Sequence, residues 1–237
     1  MSTVQVKYSV IIPAYNELES LGELILKCKD ILSMRNEVEI ILVDNGSTDG
    51  SNLYLKKALQ KLNIKNFRLV AKELNTGYGA GLKYGFAASQ SEFLIWTHAD
   101  LQCDPLDILR LLDIHHTLPM NNELVIKGDR INRALLDKIF SKSLTFLNRV
   151  INRVQLHDVN SQPNLISKKT YFVLEDLPDD STFELALLTK ALKRGCIMYR
   201  FPVNFPKRQY GIGSNQGILR KIRFSLISVS TMWKLRT

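Results

Sequence analysis

The chain has 237 residues, of which 45% are hydrophobic and 23% are charged, the composition of an ordinary globular protein with a sizeable core. No uncharged apolar run approaches the ~18 residues that span a bilayer, and the first residues lack signal-peptide character, so we expect a cytoplasmic protein. Three scattered cysteines, Cys28, Cys103 and Cys196, argue against a disulfide framework and against a cysteine zinc site.

The net charge of +9 is concentrated in the second half of the chain. Residues 1–118 hold 12 Lys and Arg against 14 Asp and Glu, whereas residues 119–237 hold 20 against 9. A basic half is typical of proteins that meet an anionic partner, such as nucleic acid, phospholipid or a phosphorylated small molecule. No nucleic-acid-binding motif accompanies the charge, so we expect no nucleic-acid partner.

Apolar runs alternate with helical patterns through the first hundred residues. The predicted strands cover residues 8–12, 38–43, 67–71 and 93–97, with helical patterns between them. This order indicates βαβ units and a largely parallel sheet. In such sheets ligands bind beyond the carboxyl ends of the strands. We therefore expect AYNE, DNGSTDGS and HADLQ, which follow three of the strands, to converge.

The corner after the fourth strand carries Asp100, Gln102 and Asp104. Side chains alternate along an extended chain, which predicts that Asp100 and Gln102 point together while Leu101 turns toward the core. Carboxylate and amide oxygens suit a hard divalent cation that takes its other ligands from water and phosphates. The simpler alternative is an Asx turn, with Asp104 capping a helix that has Pro105 at its first position.

Four motifs in this order, PAYNE, DNGSTDGS, NTGYGAG and HADLQCDP, resemble the nucleotide-sugar half of the family 2 glycosyltransferases with the GT-A fold. The last motif is most similar to that of dolichol-phosphate mannosyltransferases and bacterial polyprenyl-phosphate glycosyltransferases. The resemblance implies one α/β domain over residues 1–237, with a Rossmann-like, mostly parallel sheet flanked by helices. Residues 1–118 would bind the nucleotide sugar, and residues 119–237 would bind a polyprenyl-phosphate or glycan acceptor.

The resemblance also implies roles for particular residues of the first half. Asp44 is expected to contact the nucleobase, while Asp100 and Gln102 are expected to bind Mg²⁺ or Mn²⁺ at the donor diphosphate. Asn45 and His98 stand where the family commonly has aspartate. The other residues expected around the nucleotide sugar are Pro13, Tyr15, Glu17, Asn45, Gly77 and His98.

In the second half, Arg130 is expected near the acceptor phosphate. The loop PKRQYGIGSNQ is similar to the family's R-x-x-G-x-S loop, so Arg208 and Ser214 are expected to bind the diphosphate or the acceptor phosphate, with Arg208 also stabilising the leaving group. Asn164 stands where a basic residue is common. Glu184 matches a position that acts as general base toward saccharides, whereas an ionised phosphate acceptor needs no base and leaves Glu184 to orient groups.

Two alternatives to lipid-phosphate transfer remain open on the sequence. A transferase of the same fold acting on a saccharide would use Glu184 as base. A non-catalytic nucleotide-sugar binder is suggested by the departures at Asn45 and His98.

Two segments of the second half combine an apolar stripe with basic residues. Residues 133–153 form either a solvated basic face or a helix lying along a membrane. The tail from residue 217 is predicted to be a basic amphipathic helix with Leu219, Ile222, Leu226, Val229 and Trp233 on one stripe. That stripe indicates either docking on anionic lipid at the inner face of a membrane or packing on the catalytic domain.

Overall fold

One seven-stranded sheet with helices on both faces organises the part of the chain described by a computed structural model, residues 5–119, 123–132, 135–206, 209–210 and 218–236. The strands are β1 (Tyr8–Ala14), β2 (Val38–Asn45), β3 (Phe67–Lys72), β4 (Phe93–Trp96), β5 (Leu124–Ile131), β6 (Asn164–Ser167) and β7 (Ile197–Asn204). The helices are α1 (Leu21–Met34), α2 (Ser51–Leu62), α3 (Tyr78–Ala88), α4 (Asp107–Thr117), α5 (Leu135–Asn152), α6 (Lys168–Phe172), α7 (Phe183–Lys193) and α8 (Ile218–Lys234).

The strand order is β3-β2-β1-β4-β6-β5-β7, and β6 runs antiparallel to both of its neighbours. The remaining neighbouring pairs are parallel. Strands from both halves of the sequence therefore share one sheet, and all of them except β6 end at the same edge. The predicted mostly parallel sheet flanked by helices is confirmed.

Strand β2 shows why the sheet needs cover on both faces. Val38, Ile40 and Leu42 belong to the core that includes α1, α2 and α4, whereas Ile41 and Val43 belong to the opposite core with α3 and α7. Alternate side chains of a strand point to opposite faces, so a continuous apolar run is buried only when helices lie on both sides. The sequence VEIILV, which places apolar residues on both faces of β2, therefore needs helices on both sides of the sheet.

Helices α5 and α8 pack beside each other, and α8 also packs on α7. The Asn152 amide at the end of α5 donates to the Met232 carbonyl of α8 at 3.1 Å, and the Asn152 side chain is buried. Among the residues that the structure describes, none of the helices is both long and apolar enough to cross a membrane.

Helix α3 lies very close to the sheet at Gly85. A Cβ atom at this position would lie 2.4 Å from Ile11 Cγ2 and 2.8 Å from Val43 Cγ2, both of which are buried strand side chains. Neither neighbour has room to move, because both are packed inside the sheet. Glycine at position 85 therefore sets the distance between α3 and the sheet.

We predict that Gly85→Ala lowers the free energy of unfolding by about 1–3 kcal/mol, because overpacking outweighs the higher helix propensity of alanine. Gly22→Ala in α1 is the matched control, since its Cβ would meet only the Tyr54 hydroxyl, at 3.3 Å. That control should be neutral or stabilising. Urea denaturation of both variants measures the difference, and equal stability of the two would contradict the packing argument.

Candidate functional site

The loops after β1 and β2 are fastened to each other at the carboxyl edge of the sheet. Asn16, with φ of +54°, donates its backbone N–H to Ser47 Oγ at 3.0 Å and accepts from the Thr48 N–H at 2.8 Å. The Leu18 N–H donates to Asp49 Oδ2 at 3.1 Å. These bonds join the AYNE and DNGSTDGS loops into one rim, which confirms that the two motifs converge.

The residues of this rim that are expected to bind the nucleotide sugar differ in solvent exposure. Tyr15 is exposed, while Pro13 and Glu17 are half-buried. Asp44 is buried at the end of β2, where Oδ1 accepts from the Ser47 N–H at 3.2 Å and Oδ2 accepts from the Asn52 amide at 2.7 Å. The carboxylate of Asp44 is thus held in place by its own loop, at the base of the rim.

Asn45 connects β2 to the glycine-rich loop before α3. Its amide nitrogen donates to the Gly77 carbonyl at 2.9 Å and to Asn75 Oδ1 at 3.2 Å. An ionised aspartate at this position would have no proton to donate to the Gly77 carbonyl. The departure from the family pattern at Asn45 therefore has a structural role in this chain.

The resemblance places Gly77 near the nucleotide sugar, and the structure shows that Gly77 and Gly79 both lie against another segment of the protein. Added Cβ atoms would lie 2.3 Å from the Asp179 carbonyl oxygen and 2.5 Å from the Pro178 carbonyl oxygen. Gly77 also has φ of +117°, which disfavours other residues. The glycines allow the loop to pack against the segment that leads into α7.

The corner after β4 is a turn and not a continued strand, so the prediction from strand alternation is wrong in its geometry. Leu101 has φ of +59°, and Asp100 Oδ1 accepts from the Gln102 N–H at 3.1 Å, which is an Asx turn. Leu101 does pack against the core, as expected. Asp104 accepts from the Leu106 N–H and from Lys27 Nζ, both at 3.0 Å, so it caps the turn that precedes α4.

The oxygen ligands available at this corner suit a cation whose remaining ligands come from a substrate. Among the described residues no cluster of three or more His, Cys, Asp or Glu side chains is arranged to hold a metal ion. Asp100 and Gln102 are half-buried and supply a carboxylate and an amide oxygen. Such sparse oxygen ligation suits Mg²⁺ or Mn²⁺ bound mainly through water and substrate phosphates.

A buried carboxylate at the start of α7 collects three donors from distant parts of the chain. Glu184 is 1% exposed, and its Oε1 accepts from Trp96 Nε1 at 2.7 Å, from the Tyr78 hydroxyl at 3.1 Å and from the Gln162 amide. Glu184 also lies in the first turn of α7, where a negative charge is favoured by the helix dipole. The structure therefore brings Glu184 to the carboxyl end of β4.

Tyr78 links this carboxylate to His98, at the corner after β4. Its ring lies 5.3 Å from the His98 ring, centroid to centroid. Burial and the adjacent charge of Glu184 raise the pKa of Tyr78 well above its ordinary value, with a further contribution from Asp100. Burial likewise raises the pKa of the Cys103 thiol to about 12, which keeps it neutral. Tyr78 is thus a neutral side chain that lies between the carboxylate of Glu184 and the ring of His98.

Lys127 of β5 is fully buried and holds the segment that carries Gln162. Its ammonium donates to the Val159 carbonyl at 2.8 Å, the Ser161 carbonyl at 2.6 Å and Asn164 Oδ1 at 3.1 Å. Asn164 in turn donates to Gln162 Oε1 at 2.7 Å. Burial lowers the pKa of Lys127 to about 8. A second cation at position 164 would lie against Lys127, which accounts for the neutral asparagine found there.

Arg130 is placed at the end of β5 but is engaged by a carboxylate. Its guanidinium pairs with Asp158 through two nitrogens, Nε at 2.8 Å, and its Cζ lies 4.6 Å from the centre of the Phe205 ring. Burial alone would lower the pKa of Arg130, and the bonds to Asp158 raise it above its ordinary value. Arg208 and Ser214 lie outside the residues that the structure describes.

Residues 9–126, about half of the chain, match the family model described as glycosyl transferase family 2. The matched range includes the rim after β1 and β2 and the corner that carries Asp100. This half of the chain is therefore of glycosyl transferase family 2, as the order of the motifs predicted.

Solved structures with low sequence identity share the fold. Glucosyl-3-phosphoglycerate synthase from Mycobacterium tuberculosis, in complex with phosphoglyceric acid, has a TM-score of 0.74 at 17% identity, over 97% of this chain and 80% of that one. The mannosyltransferase PcManGT from Pyrobaculum calidifontis, in complex with GDP-Man and Mn²⁺, has a TM-score of 0.65 at 18% identity and 88% coverage. This chain spans 59% of the length of that mannosyltransferase.

Sequence reasoning missed four residues of the network around Glu184: Tyr78, Trp96, Lys127 and Gln162. One of them carried a readable signal, because a lysine inside the apolar strand pattern ELVIKG must be buried and paired. Trp96 and Tyr78 look like ordinary core aromatics in the sequence. Their polar atoms acquire a role only when the fold brings Glu184 beside them.

We predict that Lys127 makes stability depend on pH between about 8 and 10.5, its folded and ordinary pKa values. In that window the unfolded chain holds a proton that the folded chain has released, so the free energy of unfolding rises with pH. Relative to Lys127→Met, the wild type should gain up to about 1.4 kcal/mol per pH unit there, and nothing below pH 8.

Urea denaturation across this range measures the effect. Lys57→Met, at an exposed position of α2, is the matched control and should keep the pH dependence of the wild type. A difference between wild type and Lys127→Met that stays constant or falls with pH would contradict the burial of a proton-releasing lysine.

Proposed function

We propose that the chain is an inverting glycosyltransferase that moves a sugar from a nucleotide-diphosphate donor to a polyprenyl phosphate. An oxygen of the acceptor phosphate attacks the anomeric carbon and forms the new C–O bond. The bond to the donor diphosphate breaks, and the diphosphate leaves with the electron pair. No proton has to be removed from the acceptor, because its phosphate is already ionised.

The observation that carries this proposal is the placement of Asp44 and Asp100 at the carboxyl edge of one sheet, inside the range that matches family 2. Asp44 would accept from the nucleobase at the base of the rim. Asp100 and Gln102 would hold Mg²⁺ or Mn²⁺, which supplies positive charge to the departing diphosphate. Structures of the same fold hold GDP-Man with Mn²⁺ and UDP with Mn²⁺, which supports this donor class.

The surroundings of Glu184 favour a phosphate acceptor over a saccharide. A general base must take a proton from its substrate, so its basic oxygen needs access to that substrate. Glu184 is buried, and three donors of the protein already converge on its Oε1. We infer that Glu184 orients Trp96, Tyr78 and Gln162, and that the acceptor brings its own negative oxygen. A lipid acceptor of this kind would bring the protein to a membrane surface.

We predict that Asp100→Asn removes the metal-dependent part of donor binding and lowers turnover about 100-fold or more, because one charged metal ligand is lost. Thermal unfolding with GDP-mannose or UDP-glucose, with and without Mn²⁺, measures binding through the stabilisation of the folded state. For the wild type, the rise in Tm caused by the nucleotide sugar should be larger when Mn²⁺ is present than when it is absent.

Asp104→Asn is the matched control, since Asp104 lies in the same turn and pairs with Lys27. It should lower the basal Tm slightly and keep the Mn²⁺-dependent increment. Retention of that increment in Asp100→Asn, or full activity of the wild type in EDTA, would contradict the assigned metal site.

A second prediction separates the acceptor classes through Glu184. Glu184→Gln keeps an acceptor oxygen for the three donors, so kcat should stay within about tenfold of the wild type if the residue only orients groups. Loss of a general base would instead lower kcat by about 10²–10⁴-fold and remove a limb of the pH profile. Glu184→Ala should be strongly destabilised, because the buried donors would lose their partner.

The product itself provides the direct test of the acceptor. Radiolabel from the donor that enters organic solvent indicates a lipid product, whereas label that stays in water as oligosaccharide indicates the saccharide-acting alternative. Donor binding without turnover on either acceptor would support the non-catalytic alternative, and restoration of activity by His98→Asp would strengthen it. Retention of the anomeric configuration in the product would contradict the inverting reaction.

A further inference from the structure

The outward face of α8 carries three of the five residues of the apolar stripe that the sequence predicted; Val229 is half-buried, and the side chain of Leu219 lies outside those that the structure describes. Ile222, Leu226 and Trp233 are 45%, 66% and 54% exposed. The side of α8 that packs on the protein is formed by Ser228, Met232 and Leu235, which are buried. The helix therefore buries its interior contacts through a different set of residues and leaves the apolar stripe in contact with solvent.

Helix α5 has an outward face divided into two stripes. Ile139, Phe146 and Val150 are 50%, 65% and 62% exposed and follow each other at helical intervals. The basic side chains Lys138, Lys142, Arg149 and Arg153 are exposed along the adjoining side. An exposed apolar stripe beside a basic stripe is the pattern of a helix that lies in a membrane interface.

The two helices are neighbours in the fold. They pack side by side, and the bond from Asn152 to the Met232 carbonyl joins their C-terminal parts. Helix α5 begins four residues after β5, whose end lies at the carboxyl edge of the sheet. The N-terminal end of α5 therefore lies close to the edge of the sheet where the candidate site is.

Charge decides which partner fits this surface. Helix α5 has one acidic residue in its sequence, Asp137 in its first turn, and residues 218–236 have none. The exposed cations Arg223 and Lys234 of α8, and Arg236 just after the helix, add to those of α5. A second copy of the chain would bring two basic faces together, which costs free energy. Lipid with negative headgroups satisfies the cations while its acyl region accepts the apolar side chains.

We propose that the outward faces of α5 and α8 form one docking surface for an anionic lipid bilayer. Phe146, Val150, Leu226 and Trp233 enter the boundary between headgroups and acyl chains. The basic side chains pair with headgroup phosphates. The proposed surface consists only of residues of the two helices. Vesicle binding can therefore be measured independently of sugar transfer.

Flotation with vesicles tests the surface. The wild-type chain should float with phosphatidylcholine vesicles that contain phosphatidylglycerol and bind pure phosphatidylcholine vesicles weakly. Added NaCl should weaken binding, because it screens the charges. The double variant Phe146→Ser/Leu226→Ser should bind at least about tenfold more weakly, since two large apolar side chains no longer enter the lipid.

The matched control is Leu26→Ser/Met34→Ser, which removes two side chains of α1 that are 60% and 64% exposed. It should bind vesicles like the wild type. Equal loss in both double variants, or no vesicle binding by the wild type, would overturn the proposal. Sedimentation in the absence of lipid tests the alternative occupant. If the wild type is a dimer and Phe146→Ser/Leu226→Ser is a monomer, the face binds a second copy of the chain and the proposal is overturned.

Donor-induced thermal stabilisation separates this result from the proposed reaction. The Phe146→Ser/Leu226→Ser variant should retain the wild-type Tm and its shift with nucleotide sugar and Mn²⁺, since exposed side chains contribute little to folding. Failure of vesicle binding with an intact donor shift would refute only the docking surface. Failure of the donor shift with intact vesicle binding would refute only the donor assignment.

Discussion

The Glu184 carboxylate is the point at which the two halves of the chain are joined around the site. Trp96 and Tyr78 reach Glu184 from the first half, and Gln162 reaches it from the second. A buried carboxylate without partners would be costly, so all three donors and the start of α7 must take up their places together. Helix α7, the end of β4 and the loop before β6 consequently fold as one arrangement.

Lys127 extends this arrangement to the outer strands of the sheet. Its ammonium donates hydrogen bonds to the Val159 and Ser161 carbonyls and to Asn164, and the Asn164 amide donates to Gln162. The network therefore runs from Lys127 of β5 to Trp96 at the end of β4 through hydrogen bonds between buried groups. Networks of this kind give a unique geometry because a partly formed network leaves polar groups unpaired. The rim formed by the loops after β1 and β2 is fixed in the same way, by bonds between loops and not by apolar packing.

The order of strands and helices in the first hundred residues and the positions of Asp44 and Asp100 could be predicted from the sequence, because apolar periodicity marks where each strand ends. The antiparallel strand β6 was not predicted. Local turn geometry could not be predicted. Asp100 lies in an Asx turn with Leu101 in the left-handed region, and strand alternation does not extend that far. Asn45 shows a related limit, since its partner is a loop carbonyl thirty-two residues away.

Periodicity also failed to decide which way a helix faces. The stripe of α8 from Ile222 to Trp233 reads equally well as a buried face or an exposed one. The structure shows it exposed because Ser228 and Met232 occupy the packed side. Which face is buried depends on the shape of the neighbouring helices, and that information is distributed over the whole chain.

The contact of Gly77 and Gly79 with Pro178 and Asp179 constrains how this protein can diverge. The loop before α3 and the segment before α7 are about a hundred residues apart in sequence, yet neither has room for an added carbon atom without displacement of the other. Substitutions in one segment must be matched by changes in the other. Among natural variants of this chain the two segments should therefore covary, so that the loop before α3 and the segment before α7 are inherited as a pair.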